Sequence, residues 1–424
     1  REIFSDMTSG QAMMRLVQGD VGSGKTAVAA AAIYFAVKNG CQAAMMAPTE
    51  VLAAQHYRSL SALLAPFGFR VELLSGSLTK AQKNDVHSRL QSGEIDVAVG
   101  TNALIQPGVH YRRLGLAVTD EQHRFGVIQR AALVNKSTEE DAAGPQTHTL
   151  VMSATPIPRT LSLILYGDLD VSVLDEMPPG RMKVDTFLVD GSYRARIEAF
   201  IRKQLDAGRQ AFIVCPLVEE NGESDDKKAV TEYAERIRPT FAPYAVGRVH
   251  GRQKPAEKDR VMAAFAAGEL HILVSTTVVE VGVDVPNASV MLIENAECFG
   301  LSQLHQLRGR VGRGRHKSYC ILLSDSRSEK SLSRLKIMTE TGDGFEIANA
   351  DLAQRGPGDF FGARQSGELR FKCASFADMA LIGETRALCD RIWDGPLAAD
   401  EAYAPLRRAA RERLEAEAAR NTLN

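Results

Sequence analysis

Paired cysteines are missing from this sequence. Its six cysteines, Cys41, Cys215, Cys298, Cys320, Cys373 and Cys389, stand apart and none forms a CxxC pair. That argues against the thiol spacing of zinc sites and redox motifs and leaves reduced structural thiols, the pattern of a cytosolic protein. Net charge is missing too: −1 over 424 residues. The average therefore does not advertise a nucleic-acid partner, and such a partner would need a local basic track. Long apolar runs are absent; the longest, near residues 27–37, falls short of the roughly 20 residues that cross a bilayer. No basic, apolar, small-residue leader opens the chain. Tryptophan occurs once, at Trp393. No cluster of aromatic and basic residues offers a platform on which unpaired bases could stack. Neither internal repeats nor low-complexity stretches occur.

What is present is ordinary for a globular chain: 45% hydrophobic residues, 24% charged and 34 glycines. This length suits two or three domains with full cores. Short β-branched runs alternate with helical patterns. Candidate strands are Arg15–Gln18, Gln42–Met46, Ile95–Val99, Leu116–Thr119 and His148–Met152, then a second series at Asp185–Val189, Gln210–Cys215, His271–Ser275, Ser289–Glu294 and Tyr319–Leu323. The runs are mostly continuous rather than alternating, as in parallel strands buried on both faces. Helical stretches such as Thr26–Lys38 and Glu257–Ala267 lie between them. The fold class expected is therefore α/β, with two doubly wound parallel sheets. Leu174–Lys183, with Pro178, Pro179 and Gly180, suits a linker. After about Ser324 the rhythm stops and helical and glycine-rich segments follow, ending in a charged helix over Ala404–Ala419. The expected domains are residues 1–177, 178–325 and 326–424.

The strongest local signal is Gly19-Asp20-Val21-Gly22-Ser23-Gly24-Lys25-Thr26, the phosphate-loop pattern GxxxxGK[ST] between a strand and a helix. Glycines let backbone N–H groups close around a phosphate, and the helix N-terminus adds a favourable dipole. Lys25 would reach the β- and γ-phosphates of ATP, and the Thr26 hydroxyl would ligate Mg²⁺. Further on, the apolar run Leu116-Ala117-Val118-Thr119 ends in Asp120-Glu121. Asp120 would hold Mg²⁺ through water, and Glu121 would orient and deprotonate the attacking water.

Asp120-Glu121-Gln122-His123 resembles motif II of the superfamily 2 helicases, and the other motifs follow in order. Ala47-Pro48-Thr49-Glu50-Val51-Leu52-Ala53-Ala54-Gln55-His56 looks like motif Ia, and Gly100-Thr101-Asn102-Ala103-Leu104 like motif Ib. Ser153-Ala154-Thr155-Pro156 is similar to motif III, and residues 274–286 to motif V. Gln306-Leu307-Arg308-Gly309-Arg310-Val311-Gly312-Arg313 resembles motif VI. Within the superfamily, Asp120–Val127, Ala154–Leu161 and the stretch Gly344–Gly367, with Gln354-Arg355-Gly356-Pro357-Gly358, resemble the RecG-type group and its relative, the transcription-repair coupling factor. Ser23 and Gln122 favour the RecG-type group, since the coupling factor usually has Phe and Glu there. The resemblance covers essentially the whole chain.

The resemblance implies two RecA-like domains followed by a helical hairpin that carries a translocation motif, in an ATP-hydrolysing helicase using ATP and Mg²⁺. Arg310 and Arg313 would be arginine fingers and Gln306 a nucleotide sensor. Gly282 and Asp284 would lie near the ribose and phosphates. His123 would couple the ATP site to motif III through Ser153 and Thr155, with Gln354 and Arg355 as the moving parts of the translocation motif. Backbone contacts to DNA would fall on Thr49, Gln55, Thr101, Asn102, His250, Arg252, Thr276 and Thr277. The implied partner is branched DNA, forks and Holliday junctions, with a cytoplasmic monomer and no membrane. The family's N-terminal wedge domain has no counterpart here, so a motor portion is expected. Two other readings stand beside this one: a duplex translocase of the coupling type, and a nucleotide-gated DNA-binding module with little turnover.

Overall fold

The computed structural model describes residues 1–76, 78–120, 133, 136, 147–154, 169–176, 182–216, 219–220, 223–224, 226–276, 285–355, 379–393 and 395–421. Among them lie two parallel sheets. The first is built from β1 (Met14–Gly19), β2 (Gln42–Met46), β3 (Val71–Leu74), β4 (Val97–Gly100), β5 (Leu114–Thr119), β6 (His148–Ser153) and β7 (Asp170–Leu174). Their order is β3-β4-β2-β5-β6-β1-β7, with every pairing parallel. Leu16 of β1 stands between Val151 of β6 and Val171 of β7. The second contains β8 (Asp185–Val189) and β9 (Gln210–Val214). After a small antiparallel ladder of β10 (Glu219–Glu220) with β11 (Glu223–Ser224), it continues through β12 (Val246–Val249), β13 (Ile272–Ser275), β14 (Ala288–Ile293) and β15 (Tyr319–Leu323). Its order is β12-β13-β9-β14-β15-β8, again parallel throughout.

The central strands are unbroken apolar runs because helices cover both faces. Along β2, Ala43 and Met45 enter a core with Ile33 and Leu60, from the helices Lys25–Lys38 and Glu50–Leu64. Ala44 and Met46 enter the opposite core with Leu74 and Leu90. In β9, Phe212 and Val214 face one core while Ala211 and Ile213 face the other. Each of the larger side chains among these contributes roughly 1.5–3 kcal/mol of burial. Phe212 packs on Phe265 at 4.8 Å between ring centroids.

In the two parallel sheets three strands have no counterpart among the candidate runs: β3, β7 and β12. Each is an edge strand; of the four edges only β8 is among the candidates. An edge strand is only partly covered, so Val71-Glu72-Leu73-Leu74, Asp170-Val171-Ser172-Val173-Leu174 and Val246-Gly247-Arg248-Val249 carry polar residues that dilute the apolar signal.

Beyond β15 the helices Glu329–Glu340 and Gly344–Arg355 remain with the second lobe. Leu335, Met338 and Ile347 share one core with Phe212 and Leu304. The described residues through Gln354 form one compact unit, and the helices Met379–Trp393 and Ala404–Asn421 belong to another. Within that second unit Arg407 donates to the carbonyls of Leu397 and Asp400 at 3.3 and 3.0 Å.

Candidate active site

Because the strands of the first sheet all run one way, their C-terminal ends share an edge, and the chain leaving that edge builds the site. Gly19 ends β1 and Ser153 ends β6, while Ala47, Thr101 and Asp120 follow β2, β4 and β5 directly. Segments more than a hundred residues apart in sequence meet there.

The phosphate loop turns on two glycines with left-handed backbone, Gly22 (φ 80°) and Gly24 (φ 94°). Gly24 caps the helix Lys25–Lys38, and a Cβ on it would meet nothing within 4 Å, so the loop holds open space. At Gly19 the opposite holds: a Cβ would lie 2.5 Å from Ser23 Oγ and 2.9 Å from Leu174 Cβ. Ser23 N–H donates to the Asp20 carbonyl at 3.1 Å, and Val21 N–H donates to Asp20 Oδ1 at 2.6 Å. Lys25 Nζ lies inside the loop, donating to the carbonyls of Gly19 and Asp20, each at 2.8 Å. Ser23 Oγ is buried with no hydrogen-bond partner. An inward cation, a glycine nest and an orphan hydroxyl fit an anionic phosphate chain. Thr26 is half-buried in the first turn of the helix and Asp120 is buried at the end of β5. A hydroxyl and a carboxylate are hard oxygen donors suited to Mg²⁺, which keeps water and phosphate oxygens in its remaining positions. Among the described residues no group of three His, Cys, Asp or Glu side chains could hold a metal by itself.

The second lobe closes on this loop with the helix Leu301–Arg308 and the turn after it. His305 Nε2 lies 2.5 Å from Asp20 Oδ1, and Arg308 Nη2 lies 2.9 Å from His305 Nδ1. Arginine only donates, so Nδ1 accepts and Nε2 carries the proton that Asp20 receives. The rest of the Arg308 guanidinium donates to the carbonyls of Met338 and Thr341, each at 2.9 Å, and of Gly342 at 3.1 Å. Burial pulls the Arg308 pKa down, against the nearby thiol of Cys320 and the carboxylate of Asp20. A Cβ on Gly309 would lie 2.9 Å from Val21 Cβ, so glycine lets the turn touch the phosphate loop. Beside these residues is a cavity of about 250 Å³, lined by Asp20, Met182, Lys183, Val184, His305, Arg308, Gly309 and Gly342.

The expected fingers follow in the same turn: Arg310 is buried, and Arg313 is half-buried with Nε donating to the Gly309 carbonyl at 3.0 Å. Gln306 is half-buried on the helix before them. Ser153 is buried at the end of β6. Thr49 caps the helix Glu50–Leu64, accepting from Leu52 N–H at 3.4 Å, with Gln55 half-buried further along it. Thr101 is half-buried and Asn102 exposed. Arg252 is exposed, whereas His250 and Thr276 are buried. Gln354 is exposed near the end of the helix that Arg355 closes. Glu121, His123, Thr155, Thr277, Gly282 and Asp284 lie outside the described residues. Sequence reasoning missed His56, His305 and Arg308, which sit inside quoted motifs or beside them but whose partners are far away in the chain.

Two doubly wound parallel lobes, with a phosphate loop on one and an arginine-bearing turn of the other set against it, are the architecture that the resemblance to superfamily 2 helicases implies. Residues 1–164 match the family model for DEAD/DEAH box helicases, 194–315 the helicase conserved C-terminal domain, and 341–409 the C-terminal part of domain 3 of the ATP-dependent DNA helicase RecG. The ATP-dependent DNA helicase RecG of Bacillus subtilis is 52% identical over 388 residues, covering 92% of this chain and 55% of that protein. That of Thermotoga maritima is 51% identical over 383 residues, covering 90% and 48%. A solved structure of RecG bound to a three-way DNA junction is similar with a TM-score of 0.75 at 46% identity, covering 91% of this chain and 49% of that one. Over about nine tenths of its length the chain is similar to these RecG helicases. It spans about half the length of the curated relatives it matches. Among the described residues no helix is long and apolar enough to cross a membrane.

Proposed function

We propose that this chain is an ATP-hydrolysing, Mg²⁺-dependent DNA motor that remodels branched DNA, regressing forks and moving Holliday junctions. The observation that carries the reading is the contact of the second lobe's His305 with Asp20 in the phosphate loop of the first. Nucleotide chemistry at that loop is thereby joined to movement between lobes, which is what a motor requires. The names of the relatives and the junction-bound structure support DNA as the track.

In this reading Lys25 and the loop amides bind the phosphates, and Thr26 and Asp120 hold Mg²⁺, which neutralises charge on the phosphates. Glu121 takes the proton of the attacking water. Arg310 and Arg313 meet charge developing on the γ-phosphate, commonly worth about 10³–10⁵ in rate. Gln306, Gly282 and Asp284 face the nucleotide, and His123, Ser153 and Thr155 relay its state. Thr49, Gln55, Thr101, Asn102, His250, Arg252, Thr276 and Thr277 contact phosphodiesters. The working parts are residues 1–177, 178–325 and 326–424, acting as a monomer in the cytoplasm. Gln354 and Arg355 convert closure into movement.

ATPase rates without DNA and with single strands, duplex and a fork test the whole reading. DNA should stimulate turnover, and equal rates in all four conditions would defeat it. Arg355→Ala should cut triplex displacement by about tenfold or more while turnover stays near wild type, because losing a geometric coupling spares chemistry done elsewhere.

A further inference from the structure

His56 has no part in the functions described so far. It is 6% exposed on the helix Glu50–Leu64, and its Nε2 lies 2.7 Å from Oδ2 of Asp120, itself 8% exposed. A carboxylate oxygen only accepts, so the imidazole donates from Nε2. The main chain of the same residue is held nearby: Asp120 N–H donates to the Met46 carbonyl at 3.0 Å. Both bonds come from one strand–helix unit, since Met46 ends β2 and the helix bearing His56 begins four residues later at Glu50. Backbone and side chain of Asp120 therefore take their position from this unit. An ionised carboxylate has about four acceptor positions. His56 occupies one of them, on Oδ2.

The helix is a firm lever. Thr49 caps its start, and Leu52, Ala53, His56, Leu60 and Leu64 bury one face of it. Its other residues near the start, Thr49 and Gln55, are the proposed DNA contacts. Resting on the proposed motor reading, we infer that His56 is a positioning residue that holds the Asp120 carboxylate in its metal-binding rotamer and passes DNA engagement at this helix to the Mg²⁺ site. A buried histidine that merely satisfies a buried carboxylate would leave metal affinity independent of DNA.

Hydrogen-bonding partners behind a metal ligand are typically worth about 10–100-fold in metal affinity. Mn²⁺ is the probe, because free Mn²⁺ is counted directly by electron paramagnetic resonance. The full chain is titrated with a non-hydrolysable ATP analogue present, with and without duplex DNA. His56→Leu should weaken Mn²⁺ binding by about tenfold or more, while metal-free binding of the analogue stays unchanged. His56→Gln, whose amide N–H reaches as far as Nε2, should recover most of the affinity. DNA should tighten Mn²⁺ in the wild type and in His56→Gln and leave His56→Leu unmoved. Wild-type affinity in His56→Leu, DNA tightening that persists in it, or His56→Gln as weak as His56→Leu would each overturn the inference. If His56→Leu does not fold, His56→Asn, polar but too short to reach the carboxylate, takes its place with the same expectations. Absence of analogue-dependent Mn²⁺ binding in the wild type would defeat the nucleotide-site reading itself, an outcome distinct from failure of the His56 link.

Discussion

Asp20 of the phosphate loop accepts from His305 of the opposite lobe across 2.5 Å, and both residues are buried. Each is therefore the other's substitute for water. His305→Leu leaves the carboxylate without this donor and Arg308 without this acceptor. The loss should be about 1.5–3 kcal/mol, the range for a bond to a charged group. Urea unfolding of the wild type and variant checks it. Asp20→Asn keeps an acceptor oxygen and should cost less. A larger loss in Asp20→Asn than in His305→Leu would show that the pair is not the main partner of either residue.

Gly309 packs on the Val21 side chain of the opposite lobe. Gly309→Ala places a methyl 2.9 Å from Val21 Cβ and 3.1 and 3.2 Å from its two methyl carbons. Overpacking of this kind costs about 1–3 kcal/mol. The strain is relieved most simply by the lobes moving apart, so ATP turnover should fall by about tenfold. Val21→Gly in the same chain removes the Cβ and both methyls that the new side chain meets and should restore much of the rate. A double variant as slow as Gly309→Ala would place the defect elsewhere.

Lys25→Ala removes the ammonium now held by the Gly19 and Asp20 carbonyls. Turnover should drop by about a hundredfold or more, as when one charge-stabilising donor is deleted from an active site. Glu121→Gln should bind ATP normally and cleave it about as slowly. Radiolabelled ATP retention and phosphate release separate the two effects, and normal turnover in Glu121→Gln would remove that residue from the chemistry.

The cysteines offer a test of burial. The thiols of Cys215 and Cys320 are pushed up to about 12 by burial, while Cys298 and Cys389 are exposed. Only the thiolate alkylates, and a raised pKa means less of it. At pH 8 the buried pair holds about one thiolate in ten thousand. Iodoacetamide should therefore mark Cys298 and Cys389 well before Cys215 and Cys320, read by peptide mass spectrometry. Equal rates in the native protein would contradict the packing of the second lobe.

The phosphate loop was legible as a strand–turn–helix element because Gly22, Gly24, Lys25 and Thr26 lie within five residues of one another. The central strands were legible because burial on both faces leaves unbroken apolar runs. The edges β3, β7 and β12 were not, since half-exposed strands admit Glu72, Ser172 and Arg248. Pairings across long separations escaped altogether. Nothing near His56 announces Asp120, and nothing in the phosphate loop announces His305. Such partners are chosen by which strand ends share an edge and by how the lobes meet, and neither is written within any short window of sequence.

Arg308 spends its buried charge on the carbonyls of Met338, Thr341 and Gly342 rather than on an acidic side chain. Every residue type supplies a carbonyl, so this clasp follows the course of the chain and ignores its spelling. Side chains at positions 341 and 342 can change without altering the atoms of the clasp, whereas Met338 is also fixed by the core it enters. A one-residue insertion or deletion between residues 338 and 341, which puts the Met338 carbonyl out of register with those of Thr341 and Gly342, would break the clasp where substitutions at 341 and 342 would not.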